Sequence, residues 1–156
     1  MKKHGFTLVE LLLVIGIFAI LATFSSLNFF STYSRSNLGA TKDVLIADLK
    51  STQSSAMSGE GQNGTPTGGW GLIVNDSSSY TQFPGTVYDP GNSLNFRTTL
   101  PSDITISSTF PSGIIVFDHA SGEVMNFISG QNTMTINSPN GSAVVRLNQY
   151  GTIIGD

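Results

Sequence analysis

The sequence predicts an α+β fold in which a long N-terminal helix packs against a mostly antiparallel β-sheet domain. Three observations carry this prediction. Residues 6–27 are almost wholly apolar, and residues 37–57 have helical periodicity. After residue 68 the pattern changes to short apolar runs of period two, separated by turn residues. With the helix set aside, about 100 residues remain, which is enough for one small domain on a stalk.

The apolar run from Phe6 to Leu27 has the length of a membrane span. Its residues, about 22 of them at about 1.5 Å each, cover roughly the 30 Å of a bilayer core. Lys2 and Lys3 precede the run, which places the N-terminus in the cytoplasm and everything after about residue 30 outside. A cleaved secretory signal peptide is the alternative, but no small-residue cleavage site closes the run. The sequence therefore predicts a single-pass membrane anchor.

One ionisable residue, Glu10, lies inside this run. A carboxylate at that depth costs a few kcal/mol unless it is neutralised, reaches the interface or finds a cation. At Gly5 and the following FTLVELLLVIGIFAILA, the sequence resembles a type IV pilin-like prepilin. The resemblance implies cleavage between Gly5 and Phe6 by a prepilin peptidase, N-methylation of Phe6, and pairing of Glu10 with the Phe6 amine of a neighbouring subunit. It also implies an inner-membrane anchor, with the C-terminal domain periplasmic or extracellular.

The chain then divides into a leader peptide at 1–5, a transmembrane and amphipathic stalk helix at 6–57, and an exported β-rich domain at 58–156. Many pilin-like helices carry a proline where this chain has Leu27, so we expect less kinking of the helix there. In the amphipathic part, Asp43 and Lys50 project opposite an apolar stripe. We expect the β domain to cover that stripe, which consists of Leu38, Leu45, Leu49 and Ala56.

Seven segments of the β domain are predicted to be strands, and the only tryptophan, Trp70, is predicted to fill the core or pack on the helix. Turn signals that end in glycine separate the later segments. We predict that residues 76–92 are mostly loop, although the stretch from Tyr80 to Phe83 could pair briefly with a neighbouring strand. The predicted strands are 69–75, 93–99, 103–108, 113–118, 123–128, 133–137 and 143–148.

The pattern of the β domain resembles the minor pseudopilins of type II secretion (GspH) and the FimT-like minor pilins. The residues that carry this resemblance are GWGLIV, GIIVFDHASGEV and TINSPNGSAVVRLNQYGTI. It implies a structural subunit that initiates or caps a pseudopilus or type IV pilus, with other pilin subunits, the inner-membrane assembly platform and the lipid bilayer as partners. Two alternatives stay open, a major pilus subunit and a pilus-tip receptor that binds DNA or a surface.

The charge of the exported part argues against nucleic acid as a partner. After residue 57 two basic residues, Arg97 and Arg146, stand against seven acidic ones, a net charge of about −5. Such a surface repels phosphate backbones. We expect the two arginines to be solvated or ion-paired.

No chemistry-bearing motif predicts an enzyme. Asp118, His119 and Ser121 have the residue types of a hydrolytic triad but are crowded into one turn, which prevents the required alignment. The chain has no cysteine and two histidines, which disfavours a transition-metal site. Calcium held by loop oxygens around Asp76 or Asp89 stays open, although EF-hand spacing is absent. We therefore expect no catalytic residues and no cofactor, and we assign no residue to a metal site.

Overall fold

The structure, a computed structural model, describes residues 7–59, 61 and 68–154, and within this set the side chains of 24–35 are not described. Thr7 caps the single long helix, α1, which runs Leu8–Ser58 and ends at Gly59 in the left-handed conformation that favours glycine (φ 69°). The strands are β1 (Gly69–Asp76), β2 (Ser79–Pro84), β3 (Phe96–Thr99), β4 (Thr105–Ser108), β5 (Ile114–Asp118), β6 (Thr133–Ser138) and β7 (Gly141–Arg146). A short 3-10 helix, Pro111–Gly113, precedes β5.

The strands form two antiparallel sheets. The four-stranded sheet has the order β3-β2-β1-β5, and the three-stranded sheet has the order β4-β6-β7. Every pairing is antiparallel, and the hairpin from β6 to β7 turns between Ser138 and Gly141. The predicted α+β architecture, a long helix packed against antiparallel sheets, is confirmed.

The C-terminal half of α1 packs on both sheets along the predicted stripe. Leu45, Leu49 and Ala56 are fully buried in the core, and Leu38 packs against it. Asp43 and Lys50 are exposed on the opposite face of the helix. Trp70 is also in the core, as predicted. Burial of one face explains why this half of the helix is amphipathic.

The helix is continuous through residue 27, as expected for a position without proline. Among residues whose side chains are described, no helical stretch is both long and apolar enough to cross a membrane. The leader, Phe6 and the side chains of residues 24–27 lie outside the described part of the chain.

The prediction of a loop over residues 76–92 is wrong for its central part. Residues 79–84 form β2, a buried strand between β1 and β3. Two of its polar side chains are paired: the Thr81 hydroxyl donates to Asn75 Oδ1 at 2.6 Å, and the Ser79 hydroxyl accepts from Arg97 at 2.8 Å. Because these polar groups are satisfied, a strand without apolar alternation can lie inside a sheet.

The prediction of a strand over residues 123–128 is also wrong. Only Val124 makes a bridge, to Phe117. The Asp118 N–H donates to the Glu123 carbonyl, and the Met125 N–H donates to the Val116 carbonyl, both at 2.8 Å. The side chain of Asn126 continues this contact, since its Oδ1 accepts from the Val116 N–H at 3.1 Å and its Nδ2 donates to the Ile114 carbonyl at 2.7 Å. The outer edge of β5 is therefore closed by two backbone hydrogen bonds and a side-chain amide, without a continuous strand over residues 123–128.

Candidate assembly surface

The N-terminus of α1 is closed by a reciprocal pair, Thr7 and Glu10. The Glu10 N–H donates to Thr7 Oγ1 at 3.3 Å, while the Thr7 N–H and the Thr7 hydroxyl donate to Glu10 Oε2 at 2.9 and 2.8 Å. Thr7 has an extended backbone (φ −84°, ψ 153°), so the helix begins at Leu8. This is a capping box, which satisfies backbone donors that the first helical turn leaves unpaired.

Behind this cap, α1 exposes apolar side chains on every side. From residue 7 to residue 23 each side chain is exposed, and the exposed fraction of Phe18 is 68%. A helix that is apolar all round is built for apolar surroundings, which are a bilayer or other helices. The large exposed side chains are Leu8, Val9, Leu11, Leu12, Leu13, Val14, Ile15, Ile17, Phe18, Ile20 and Leu21.

Of the three residues predicted for processing and assembly, only Glu10 is among the described residues. Its carboxylate lies at the third position of the helix, on the first turn of the apolar surface. Gly5 and Phe6 lie outside the described part. Thr7 was not predicted to take part, although Thr7-Leu8-Val9-Glu10 is a Thr-x-x-Glu signature that reveals the cap.

A second cluster joins α1 to the four-stranded sheet through Asp48. The hydroxyls of Tyr80 and Thr98 donate to Asp48 Oδ2, at 2.7 and 3.4 Å. Burial away from water raises the pKa of Tyr80, and the hydrogen bond to Asp48 and its negative charge add to the rise. Sequence reasoning missed Asp48, although it lies three residues after Leu45, on the buried side of the helix.

The end of α1 is held by side chains that bond to backbone groups. Gln53 Nε2 donates to the carbonyls of Gly122 and Tyr150, at 2.8 and 3.1 Å. His119 Nδ1 lies 3.1 Å from the carbonyl oxygen of Ala56. These contacts connect the last turns of the helix to two turns of the β domain.

The alternative sites considered from the sequence have structural roles. The Ser121 hydroxyl donates to Asp118 Oδ2 at 2.8 Å, while His119 faces the helix, so the three residues form a turn and not a triad. Arg97 pairs with Asp76 at 3.1 Å, as expected for a strand arginine. The pKa of Asp76 is lowered chiefly by hydrogen bonds from the hydroxyl and the N–H of Ser78. Within the described ranges, no group of three or more His, Cys, Asp or Glu residues is arranged to hold a metal ion.

Comparison with known families identifies the N-terminal segment. A model of the prokaryotic N-terminal methylation motif matches residues 1–26. This motif implies processing by a prepilin peptidase and anchoring in the inner membrane.

Solved structures show that the chain has a pilin-like fold. A crystal structure of the type IV minor pilin FimU from Pseudomonas aeruginosa (strain PAO1) is similar with a TM-score of 0.58 and 16% identity, over 78% of this chain and 90% of that one. A second crystal form of FimU gives a TM-score of 0.55 at 16% identity, over 75% and 90%. No curated protein sequence matches the chain. The motif and the fold belong to structural, non-enzymatic proteins, in agreement with the prediction that the chain is not an enzyme.

Proposed function

We propose that this chain is a type IV pilin-like prepilin, a minor subunit that assembles through its N-terminal helix into a type IV pilus or a type II secretion pseudopilus, where it initiates or caps the filament. The single observation that carries the proposal is the Glu10 carboxylate, set at the start of a helix whose exposed side chains over residues 8–23 are otherwise almost all apolar. Such a carboxylate needs a cation once the helix is surrounded by apolar groups.

The cation in this proposal is the amine of a processed neighbour. Cleavage after Gly5 frees the amine of Phe6, which then becomes N-methylated and keeps its positive charge. Each subunit carries both the acid and the amine. In a filament, the Glu10 carboxylate of one subunit neutralises the Phe6 amine of the next. An unpaired charge in an apolar helix bundle is costly, and the pairing therefore selects subunits in the correct axial position.

A minor role is supported by the similarity in fold to the minor pilin FimU, and by the resemblance of the β domain to GspH and FimT-like proteins. The receptor alternative has less support, because Arg97 is bound by Asp76 and the β domain is acidic. Abundance in sheared filaments distinguishes a minor from a major subunit, since a major subunit dominates that fraction.

Replacement of Glu10 by Gln in the native host tests the proposal. The change keeps the size of the side chain and removes the charge that attracts the neighbouring amine. We expect the variant to be cleaved and to reach the membrane fraction. Its amount in sheared filaments should fall at least tenfold, because a charge-assisted contact is lost. The exposed Glu123 offers a matched control, because Glu123→Gln removes an equal charge outside the helix. Equal incorporation of Glu10→Gln and wild type would refute the proposal.

A further inference from the structure

A groove lies between α1 and β3, the outer strand of the four-stranded sheet. Its cavity has a volume of about 210 Å³ and a mainly apolar lining. Val44, on the helix side of the groove, keeps 49% of its surface exposed. Because apolar surface is removed from water when it is covered, the groove favours an apolar side chain as its occupant. The apolar residues of the lining are Ala40, Val44, Leu100 and Pro101.

A carboxylate without a cation lies at one end of this groove. Asp48 follows Val44 by about one helical turn, and its Oδ2 lies 3.4 Å from the hydroxyl of Thr98, which lines the groove. In the described part of the chain, Asp48 Oδ1 accepts no hydrogen bond and no basic side chain pairs with the carboxylate. Since Asp48 is only partly buried, a basic group of another molecule can reach it.

The outer strand of the three-stranded sheet, β7, presents the complementary groups. Val144 and Arg146 are exposed on one face of β7, about 7 Å apart. Arg97 is ion-paired, whereas the Arg146 guanidinium pairs with nothing among the described residues. The spacing of Val144 and Arg146 matches that of Val44 and Asp48, which is about 6 Å along the helix. An apolar group and a charge therefore recur at the same separation on both surfaces.

The groove and the β7 surface lie at similar heights along α1. An added methyl group at Gly141 would touch Leu38, and one at Gly151 would touch Gln53, so β7 and the turn after it run beside the helix. Interpolation between these contacts places the exposed β7 side chains roughly level with residues 42–46, which is the level of the groove. Two copies anchored in one membrane can therefore bring the two surfaces together with their helices side by side.

The two surfaces are on opposite sides of the subunit. β3 is one edge of the four-stranded sheet and β5 is the other. The chain after β7 runs on the side of β5, because Val124 bridges Phe117 of β5 and its N–H donates to the carbonyl of Gln149. A contact between two different surfaces of identical chains is heterologous, so it leaves one copy of each surface free and can be repeated.

We propose that the β7 surface of one copy docks on the groove between α1 and β3 of a second copy, with Val144 in the groove and Arg146 paired with Asp48. A second copy is the occupant that the charges favour, since the chain itself supplies both the unpaired arginine and the unpaired carboxylate. Complementary charges at such a contact fix the register and the choice of partner. The contact goes beyond assembly through Glu10, because it joins β domains and places at least two copies side by side.

Cross-linking of introduced cysteines in membranes of the native host tests the contact, since the chain has no cysteine of its own. One copy carries Val44→Cys, a second copy with a different tag carries Val144→Cys, and a short bismaleimide joins them. We expect a mixed dimer when both chains are present and at least tenfold less dimer from either chain alone. A single chain that carries both changes should give a ladder of multimers, because the contact is heterologous.

Val87→Cys in place of Val144→Cys is the matched control. Val87 is the more exposed valine, 79% against 39%, and it lies on the loop between β2 and β3, away from β7. Random collisions would cross-link it at least as well as Val144→Cys, whereas the proposed contact gives at least tenfold less mixed dimer with it.

The charge pair is tested by Arg146→Gln on the chain that carries Val144→Cys. The yield of mixed dimer should fall at least threefold, because Asp48 loses its cation. Lys50→Gln removes an equal charge from the exposed face of α1 and should leave the yield unchanged.

The proposal is overturned by an absent mixed dimer, by equal yields with Val87→Cys, by dimers from one chain alone, or by an unchanged yield in Arg146→Gln. Cross-linking of the Val44→Cys chain to a different protein instead of a second copy would equally overturn it, since the groove would then have another occupant. Failure of the proposed function is distinguishable, because Glu10→Gln lowers incorporation into filaments and leaves both docking surfaces intact.

Discussion

The side-chain amide of Gln53 holds two separate turns of the β domain, through hydrogen bonds of 2.8 Å to the Gly122 carbonyl and 3.1 Å to the Tyr150 carbonyl. Both bonds come from one nitrogen on the buried side of α1. The residues that receive them are 28 positions apart in the chain, so a single helical residue connects the turn after β5 to the turn after β7.

Replacement of Gln53 by Leu should destabilise the protein by about 1 to 2 kcal/mol, because the partly buried Gly122 carbonyl and the exposed Tyr150 carbonyl lose their donor. The free energy of unfolding of the full chain in micelles, from denaturant titration, measures the effect. The neighbouring exposed Ser54 provides the control, and Ser54→Ala should change stability by less than about 0.5 kcal/mol. An equally small effect for Gln53→Leu would show that the two bonds contribute nothing.

Replacement of Gly151 by Ala should be more harmful than replacement of Gly130 by Ala. Both glycines have positive φ, 72° and 85°, so each alanine pays about 1 kcal/mol of backbone strain. At Gly151 the added methyl group would also meet Gln53 Nε2 and the Gly122 carbonyl oxygen, whereas nothing lies within 4 Å at Gly130. Crowding should add about 1 to 3 kcal/mol at Gly151 alone. Equal losses in the free energy of unfolding would contradict this packing.

Stability should fall at alkaline pH because of Tyr80. Its pKa is raised in the folded state, chiefly by burial, so above the unfolded pKa of about 10 the unfolded chain releases a proton that the folded chain retains. The stabilisation is complete below about pH 10 and is lost as the pH rises through the folded value. Comparison of denaturation midpoints at about pH 9 and pH 11 should show a steeper fall for wild type than for Tyr80→Phe. The exposed Tyr150 supplies the control, since Tyr150→Phe should keep the wild-type fall.

Replacement of Thr7 by Val should loosen the first turn of α1, while replacement by Ser should not. Valine has no oxygen to accept from the Glu10 N–H, and loss of such a cap costs about 1 kcal/mol. Amide hydrogen exchange of Glu10 in micelles should therefore accelerate several-fold in Thr7→Val and stay near wild type in Thr7→Ser. Equal protection in the two variants would mean that the cap does not hold the turn.

The helix and most strands could be predicted from the sequence because their burial follows a simple period. The stripe from Leu38 to Ala56 has the period of a helix, and β6 alternates buried Met134 and Ile136 with less buried neighbours. The N-terminal methylation motif was predictable for a different reason: Glu10 is conspicuous as a charge inside an apolar run.

The failures occurred where side chains take over the role of the backbone. β2 was missed because Ser79 and Thr81 are polar, and only the structure shows the partners that allow their burial. Residues 123–128 have the alternation of a strand, but they meet β5 through two backbone hydrogen bonds, and the Asn126 side chain closes the rest of that edge. Asp48 was missed because its partner, Tyr80, lies 32 residues away and in a segment predicted to be loop.

The intact mass of the protein recovered from membranes tests the central claim most directly. The account predicts a mass that lacks Met1–Gly5 and carries one added methyl group in the wild type, and an uncut chain both in Gly5→Ala and in a strain without prepilin peptidase. A wild-type chain that is uncut, or cut well after residue 22, would contradict it. Glu10 would then be an incidental charge, and α1 would be the anchor of some other kind of membrane protein.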